Sequence, residues 1–331
     1  MFMSLFKFKR NVLFSTLLGA ALLTSACSDE SGGASAEDIK NYPNRDIEVY
    51  VGHGPGGGTD TFVRTITNLM AEEIGGNFNI INKEGGSGVI AMQNAMKEPA
   101  DGYTLVGDSA YAVTTAAGTN KFELDQVIPI ARIQSDIYAI QVKKGTFESI
   151  EDLVKYADEN PGKVRIGAVG TMGIDEITAR RFIQETGTEM NYIPMEGAGQ
   201  MHADLLGGHI DVILEEVGPT ISYIEEGDFV PLLFFAENRL NDFEDVPTSV
   251  EKGWNLTDGV ERYLMIHADA PKEIVGKLEA AAKKAMETEE YKEYVKNSYL
   301  DLRDGWMGSA EFTEKLKADI ERYKEILSEM E

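Results

Sequence analysis

A chain of 331 residues is long enough for two domains, each with its own core. Hydrophobic residues make up 43% and charged residues 26%, the balance of a soluble globular protein. The 56 acidic side chains outweigh 31 basic ones, for a net charge of −25, which argues against nucleic acid or an anionic membrane surface as a partner.

The chain opens on Lys7, Lys9 and Arg10, then an apolar run from Val12 to Leu23 that is short for a bilayer span. "LLTSAC" follows and ends on Cys27, the single cysteine of the chain. Residues 1–26 therefore read as an export signal. The segment resembles a bacterial lipoprotein signal, in which cleavage leaves Cys27 first in the chain and lipidated. Thr24 stands where such signals more often carry leucine. A lone cysteine has no disulfide partner to explain it; the alternative is a plain signal peptide followed by a free thiol. Residues 27–42, with "SDESGGASAEDIKN" at their centre, read as a flexible tether. No later stretch is apolar for 18 residues, so membrane attachment would be through the lipid alone.

"DIEVYVG" (46–52) reads as a strand, and 59–73 as a helix with Phe62, Val63, Ile66, Leu69 and Met70 on one face. "NFNIINK" (77–83) is a second strand, followed by "EGGSG", a short helix near 88–97, and a third strand, "YTLVGD" (103–108). Ser149 and Asp152 are spaced to cap a helix running to about Glu159. "KVRIGAVG" (163–170) is a strand leading into a helix to about Glu185. "MNYIP", "HIDVILEE" and "FVPLLFFA" supply three more strands, with helices near 198–207 and 218–226. "ERYLMIHA" (261–268) is a strand, Pro271 opens a helix to about Met286, and 309–329 is a last helix with Phe312, Leu316, Ile320, Tyr323 and Leu327 on one stripe.

Strands alternating with helices predict an α/β protein with largely parallel sheets. Extended passages near 127–142 and 229–250 suggest two crossovers between two lobes. Residues 43–140 with 250–331 would form the first domain and 141–249 the second, with a cleft between them. Ligands of open α/β sheets sit beyond the carboxyl ends of strands, which directs attention to the loops 53–59, 84–88, 107–111, 170–174 and 195–199.

"VGHGPGGGTD" (51–60) spells a dinucleotide fingerprint, Gly52-x-Gly54-x-x-Gly57. Two features oppose that reading: Pro55 removes a donor inside the loop, and an exported protein does not meet nicotinamide cofactors. The physics of the loop suits another anion. Glycines let main-chain N–H groups approach a ligand, Thr59 offers a hydroxyl, and the following helix adds a partial positive charge. A small carboxylate satisfies such a site. "EGGSG" (84–88) and "VGTMG" (169–173) repeat the arrangement of strand, small residues, hydroxyl and helix.

"YPNRDIEVYVGHGPGGGTDTFVR", "ADGYTL", "FEDVPTSVEKG" and "HADAPKEIVGKLEAA" together resemble the extracytoplasmic substrate-binding proteins of tripartite tricarboxylate transporters, the TctC or Bug type. The likeness runs from about Tyr42 to the C-terminus. It implies a two-lobed, type II-like periplasmic-binding-protein fold that closes on an organic carboxylate and delivers it to a permease of one large and one small membrane subunit. It implies an extracytoplasmic binding protein; together with the signal ending on Cys27 and the spacings weighed below, the chain reads as a lipid-anchored monomer with no cofactor, no metal and no catalytic residues. The contacts it implies are Gly56, Gly57, Gly58, Thr59 and Asp60 with Ser87 and Ser109 from the first lobe. From the second come Gly170, Thr171 and Gly173, then Gly197 and Ala198 from "IPMEGAG".

Departures from the family pattern add two candidates and shift the chemistry. Gly52-His53 replaces a usual Pro-Phe pair, so His53 is placed to reach the cleft and titrate near neutral pH. Met195-Glu196 replaces a usual Tyr-Lys pair; Glu196 would repel a second carboxylate and welcome an ammonium or hydroxyl. Asp175 and Glu176 add negative charge near the second-lobe loop. Glu215 and Glu216 follow a strand, where neighbours face opposite ways.

Other chemistry finds little support. His202 and His209 are separated by Gly207 and Gly208, which break any helix joining them into a metal site. Gly107-x-Ser109 lacks the second glycine of a nucleophile elbow, because Tyr111 stands there. The competing function is a secreted α/β hydrolase, which needs a nucleophile with a positioned base. A receptor feeding a sensor rather than a permease would use the same fold.

Overall fold

The computed structural model describes residues 36–171 and 173–329. The export signal, Cys27 and most of the tether lie outside the described residues. The described chain opens on α1 (Ala36–Lys40), a single helical turn within the stretch read as tether, and Tyr42 just after it is buried.

From there the chain runs β1 (Ile47–Val51), α2 (Gly58–Ile74), β2 (Phe78–Asn82), α3 (Val89–Ala95), β3 (Thr104–Asp108), α4 (Tyr111–Ala116) and β4 (Val127–Ser135). A second set follows: β5 (Tyr138–Lys143), α5 (Ile150–Glu159), β6 (Arg165–Val169), α6 (Ile174–Thr186), β7 (Asn191–Met195), α7 (Ala198–Gly207), β8 (Val212–Glu216), α8 (Val217–Glu226) and β9 (Phe229–Phe234). The chain then returns through β10 (Glu261–His267), α9 (Lys272–Glu287), α10 (Glu289–Asn297), β11 (Met307–Gly308) and α11 (Ser309–Glu329).

The strands form two sheets, ordered β11-β4-β10-β3-β1-β2 and β7-β6-β8-β5-β9. Each contains three parallel strands with the earliest in the middle, β2-β1-β3 in one and β7-β6-β8 in the other. Each then adds an antiparallel neighbour beside the third strand, β10 against β3 and β5 against β8. Two such sheets, each covered by helices, make the bilobed type II periplasmic-binding-protein fold. The carboxyl ends of β1, β3, β6 and β8 are where such sheets hold ligands.

Alternation along the strands sorts the core into layers. In the first lobe Val49 and Val51 face Phe62, Ile66 and Met70 of α2 and Leu278 of α9, while Tyr50, between them in sequence, faces the layer of Tyr111, Phe312 and Leu316. The stripe of α11 is thus the cover of that second face. In the second lobe Ile140, Ile166 and Leu214 pack on Leu153 and Phe182, and Ile213 packs on Met201, Leu205 and Phe229. Ser149 caps α5 by accepting Asp152 N–H at 3.1 Å, the bond its spacing predicts.

The two crossings lie side by side. Asp136 and Ile137 separate β4 from β5, and Asp136 N–H bonds Val260 C=O at 2.8 Å, just before β10. Leu256 and Val260 belong to the second-lobe core, so the return crossing falls immediately ahead of β10. A further connection comes from the linker between α10 and β11. Tyr299 and Leu302 pack on the second lobe, and Arg303 Nη2 donates to Phe235 C=O and Thr257 C=O.

Candidate functional site

Beyond Val51 the chain turns through glycines into α2. A Cβ at Gly52 would run into Gly88 Cα, so close approach of the 84–88 loop requires glycine there. The turn is braced from inside. Asp60, 2% exposed, accepts Gly56 N–H (2.9 Å) and Arg64 Nε (2.9 Å) on one carboxylate oxygen and Asn82 Nδ2 (2.8 Å) on the other. Asn82 Nδ2 also reaches His53 C=O at 2.8 Å. Burial alone would raise the Asp60 pKa; the bonds from Arg64, Asn82 and Gly56 outweigh it and hold the carboxyl below its usual range. Asp60 therefore spends its oxygens on the loop.

The first intrahelical bond closing on the Gly57 cap is Thr61 N–H to Gly57 C=O at 2.9 Å. The N–H groups of Gly58, Thr59 and Asp60 belong to the open end of the helix. Thr59 Oγ1 and Ser109 Oγ stand 3.2 Å apart, which joins the loops after β1 and β3. Ser109 is fixed by Asp108, whose Oδ1 accepts the N–H groups of Ser109 (2.6 Å) and Ala110 (2.8 Å). Burial pushes the Asp108 carboxyl up to about 6 despite these bonds.

The second lobe meets this surface directly. Ser87 Oγ donates to Thr171 C=O at 3.4 Å, and a Cβ at Gly173 would stand 3.0 Å from Ser87 Oγ. Ser109 and Ile174 line one cavity of about 30 Å³, enough for roughly one water. Gly173 and Gly197 cap α6 and α7, so Ala198 opens the second of these helices. Two of the expected contact residues have partners within the second lobe. Gly170 gives its N–H to Met195 C=O at 2.8 Å, and the Met195 side chain, 5% exposed, packs with Met201 and Leu205. The reason is register: β7 pairs Met195 beside Val169 of β6 and sends its side chain into the core.

His53 departs most from expectation. Burial, reinforced by the Arg262 charge, lowers its pKa to about 4, so it stays neutral near pH 7 rather than titrating there. Its Nδ1 is buried without a partner.

Arg262, at the start of β10, was not singled out in the sequence, where a charged residue opening a strand reads as exposed. It is 6% exposed. It donates Nη1 to Asp136 of the first crossing and Nη2 to Glu216 at the end of β8 (2.7 Å), and a Cβ at Gly58 would run into Nη2. Burial works against its charge, but Asp136 and Glu216 more than offset that and raise its pKa. Glu215 turns the other way, as strand alternation predicts, and pairs with His202 Nε2 at 2.9 Å. Asp175, in the first turn of α6, accepts Tyr138 Oη; burial first, then the charge of Glu216, pushes its carboxyl up to about 8.

Among the described residues no group of three or more His, Cys, Asp or Glu side chains could hold a metal ion, and no helix is long and apolar enough to cross a membrane. A larger groove of about 920 Å³, lined by Arg180, Tyr192, Lys324 and Leu327 among others, contains none of the candidate loop residues.

A family model described as "Tripartite tricarboxylate transporter family receptor" matches residues 62–331. The UPF0065 protein in the gbd 5' region of Cupriavidus necator is 26% identical over 321 residues, covering 96% of this chain and 97% of its own. A TctC solute-binding protein from Polaromonas, solved without ligand, superimposes with a TM-score of 0.69 at 27% identity, covering 87% of this chain and 99% of that one. A structure described as a periplasmic transporter gives a TM-score of 0.78 at 25% identity, covering 87% and 98%.

Proposed function

The chain belongs to the receptor family of the tripartite tricarboxylate transporters, as an extracytoplasmic solute-binding protein of the TctC type, and from that premise we propose how it holds and delivers its ligand. A small organic carboxylate lies between the lobes. One carboxylate is gripped by the open N-terminus of α2, at the N–H groups of Gly58 and Thr59, with the hydroxyls of Thr59 and Ser109; the Gly57 N–H is taken by Gly54 C=O. Ser87, Thr171, Gly173, Gly197 and Ala198 close over it from the two sides. The observation that carries this reading is the convergence of Thr59 and Ser109, 3.2 Å apart, at the end of a glycine-capped helix. Asp60, Gly170 and Met195 support the loops rather than touch the ligand. Receptor membership leaves no place for the hydrolase reading. Closing lobes need only donors on both sides and a hinge.

The receptor is a monomer, held to the membrane by a lipid on Cys27 and handing its ligand to the large and small membrane subunits. Cys27→Ser would then release it from membranes; continued retention would refute the anchor.

A thermal-shift and calorimetry screen of mono-, di- and tricarboxylates tests the binding role. Stabilisation by one of them without its consumption is the expected result, since a ligand that binds only the folded state raises stability by mass action. Silence across the whole set, or turnover of any member, would overturn the reading.

A further inference from the structure

The base of the cleft carries more negative charge than its one guanidinium can balance. Arg262 serves Asp136 and Glu216 together. Asp175, half-buried, is hydrogen-bonded only to a neutral group, Tyr138 Oη, and the Glu216 charge acts on it. His202 answers Glu215 and is not free to answer Asp175. Asp175 has no cation bonded to it and feels Arg262 only as a charge already shared with Asp136 and Glu216, so its ionised form is costly. At the same place Arg262 is 6% exposed, and its Nε, a donor, has no partner while the guanidinium lies against Gly58 at the α2 N-terminus. The floor therefore offers an unused donor on the first-lobe side and an unbalanced carboxylate pair, Asp175 and Glu216, on the second.

We propose that the ligand is a zwitterion, an amino carboxylate whose carboxylate takes the α2 N-terminus and Arg262 Nε and whose ammonium takes Asp175 and Glu216. This rests on the reading of the cleft as a carboxylate site and narrows it. Unlike charges at the two ends of the ligand meet unlike charges on the two lobes, so closure satisfies both at once. A ligand lacking the ammonium leaves the acidic side unanswered, and a second carboxylate in its place meets Asp175 and Glu216 with like charge.

The groups that face Asp175 are Tyr138 from β5, Tyr192 from β7, Glu215 and Glu216 from β8, and Arg262 from β10, with His202 of α7 behind Glu215. With its carboxyl at about 8 in the unliganded protein, Asp175 must give up a proton to receive an ammonium. Affinity for an amino carboxylate should climb by up to about tenfold per pH unit from 6.5 to 8 and then level off.

The test is calorimetry on matched probes: L-aspartate against succinate, L-glutamate against glutarate, L-alanine against propionate. In at least one pair the amino member should bind tenfold tighter or more, and Asp175→Asn should erase that preference by weakening the amino member alone. Asn keeps the size of Asp and an acceptor for Tyr138, and the wild-type comparison needs no variant. If the amine-free members bind equally well or better in every pair, or if Asp175→Asn leaves the preference intact, the zwitterion proposal is wrong while the carboxylate site stands. If no member of any pair binds and the wider carboxylate screen is also silent, both fall.

Discussion

The two jaws of the cleft share a strand order and differ in charge. The first-lobe jaw presents helix-end N–H groups and the hydroxyls of Thr59 and Ser109, and it keeps its own acid, Asp60, occupied with Gly56, Arg64 and Asn82. The second-lobe jaw presents Asp175 and Glu216. Arg262 comes from the first sheet yet is bonded across to Glu216, so it is where the two characters meet. One topology builds two surfaces of different character because strand order fixes where loops emerge, while the residues in those loops fix their charge.

The contrast can be broken at the link first. Arg262→Met strands Asp136 and Glu216 in a buried setting, and should cost about 3–5 kcal/mol in denaturant unfolding. A loss under about 1 kcal/mol would mean that water already reaches the pair.

The acidic jaw is next, through pH. The native Asp175 pKa, about 8, lies above its unfolded value near 3.8. Between those values the folded state binds the extra proton, so stability falls as pH rises and is constant above 8. His53 runs the other way: depressed to about 4 from 6.5, it adds stability that is complete above 6.5 and lost toward 4. Asp108 and Asp136, raised to about 6, act in the same direction as Asp175 but finish titrating lower, so Asp175 dominates the upper part of the window from 6.5 to 8, and the Asp175→Asn comparison separates it from them. There the wild type should lose up to about 1.4 kcal/mol per pH unit and Asp175→Asn distinctly less. Equal slopes in thermal unfolding would place the titration elsewhere.

The donor jaw gives smaller effects. Gly58→Ala puts a methyl against Arg262 Nη2; about 1–3 kcal/mol of stability should go with the displaced guanidinium. Wild-type stability would show that Arg262 moves aside freely. Thr59→Val keeps the shape and removes one hydroxyl. It should weaken carboxylate binding by about 1 kcal/mol, or roughly fivefold, with the fold intact; unchanged affinity in calorimetry would take Thr59 out of the site.

Much of the fold could be read from residue order. The glycine turns, the period-2 strands, the capped helix at Ser149 and the α11 stripe are local signals, and each appears in the structure within a residue or two of where it was expected. Three helices, α1, α4 and α10, were missed; α1 is a single turn inside the polar stretch read as tether. The six residues of α4 are too few to display a 3.6-residue period. In α10 only Tyr291 is buried, so its apolar stripe is too thin to stand out.

The candidate loops were legible because glycine and hydroxyl residues at strand ends have a local cause. Which loop atoms remain for a ligand was not: the Gly170 N–H is consumed by Met195 C=O and the Asp60 carboxylate by Asn82, both partners from other strands.

The sequence by itself determined the alternation of strands and helices, the glycine-lined loops at their ends, and the likeness to a receptor family, since all of these depend on neighbours in the chain. Only the tertiary structure decided the charge of the cleft. Arg262 lies 126 positions from Asp136 and 46 from Glu216, and no spacing rule joins them. The same holds for the neutral His53 and the raised Asp175 carboxyl: a pKa is set by the loss of water and by charges brought near in space, and both arise only when distant strands pack together.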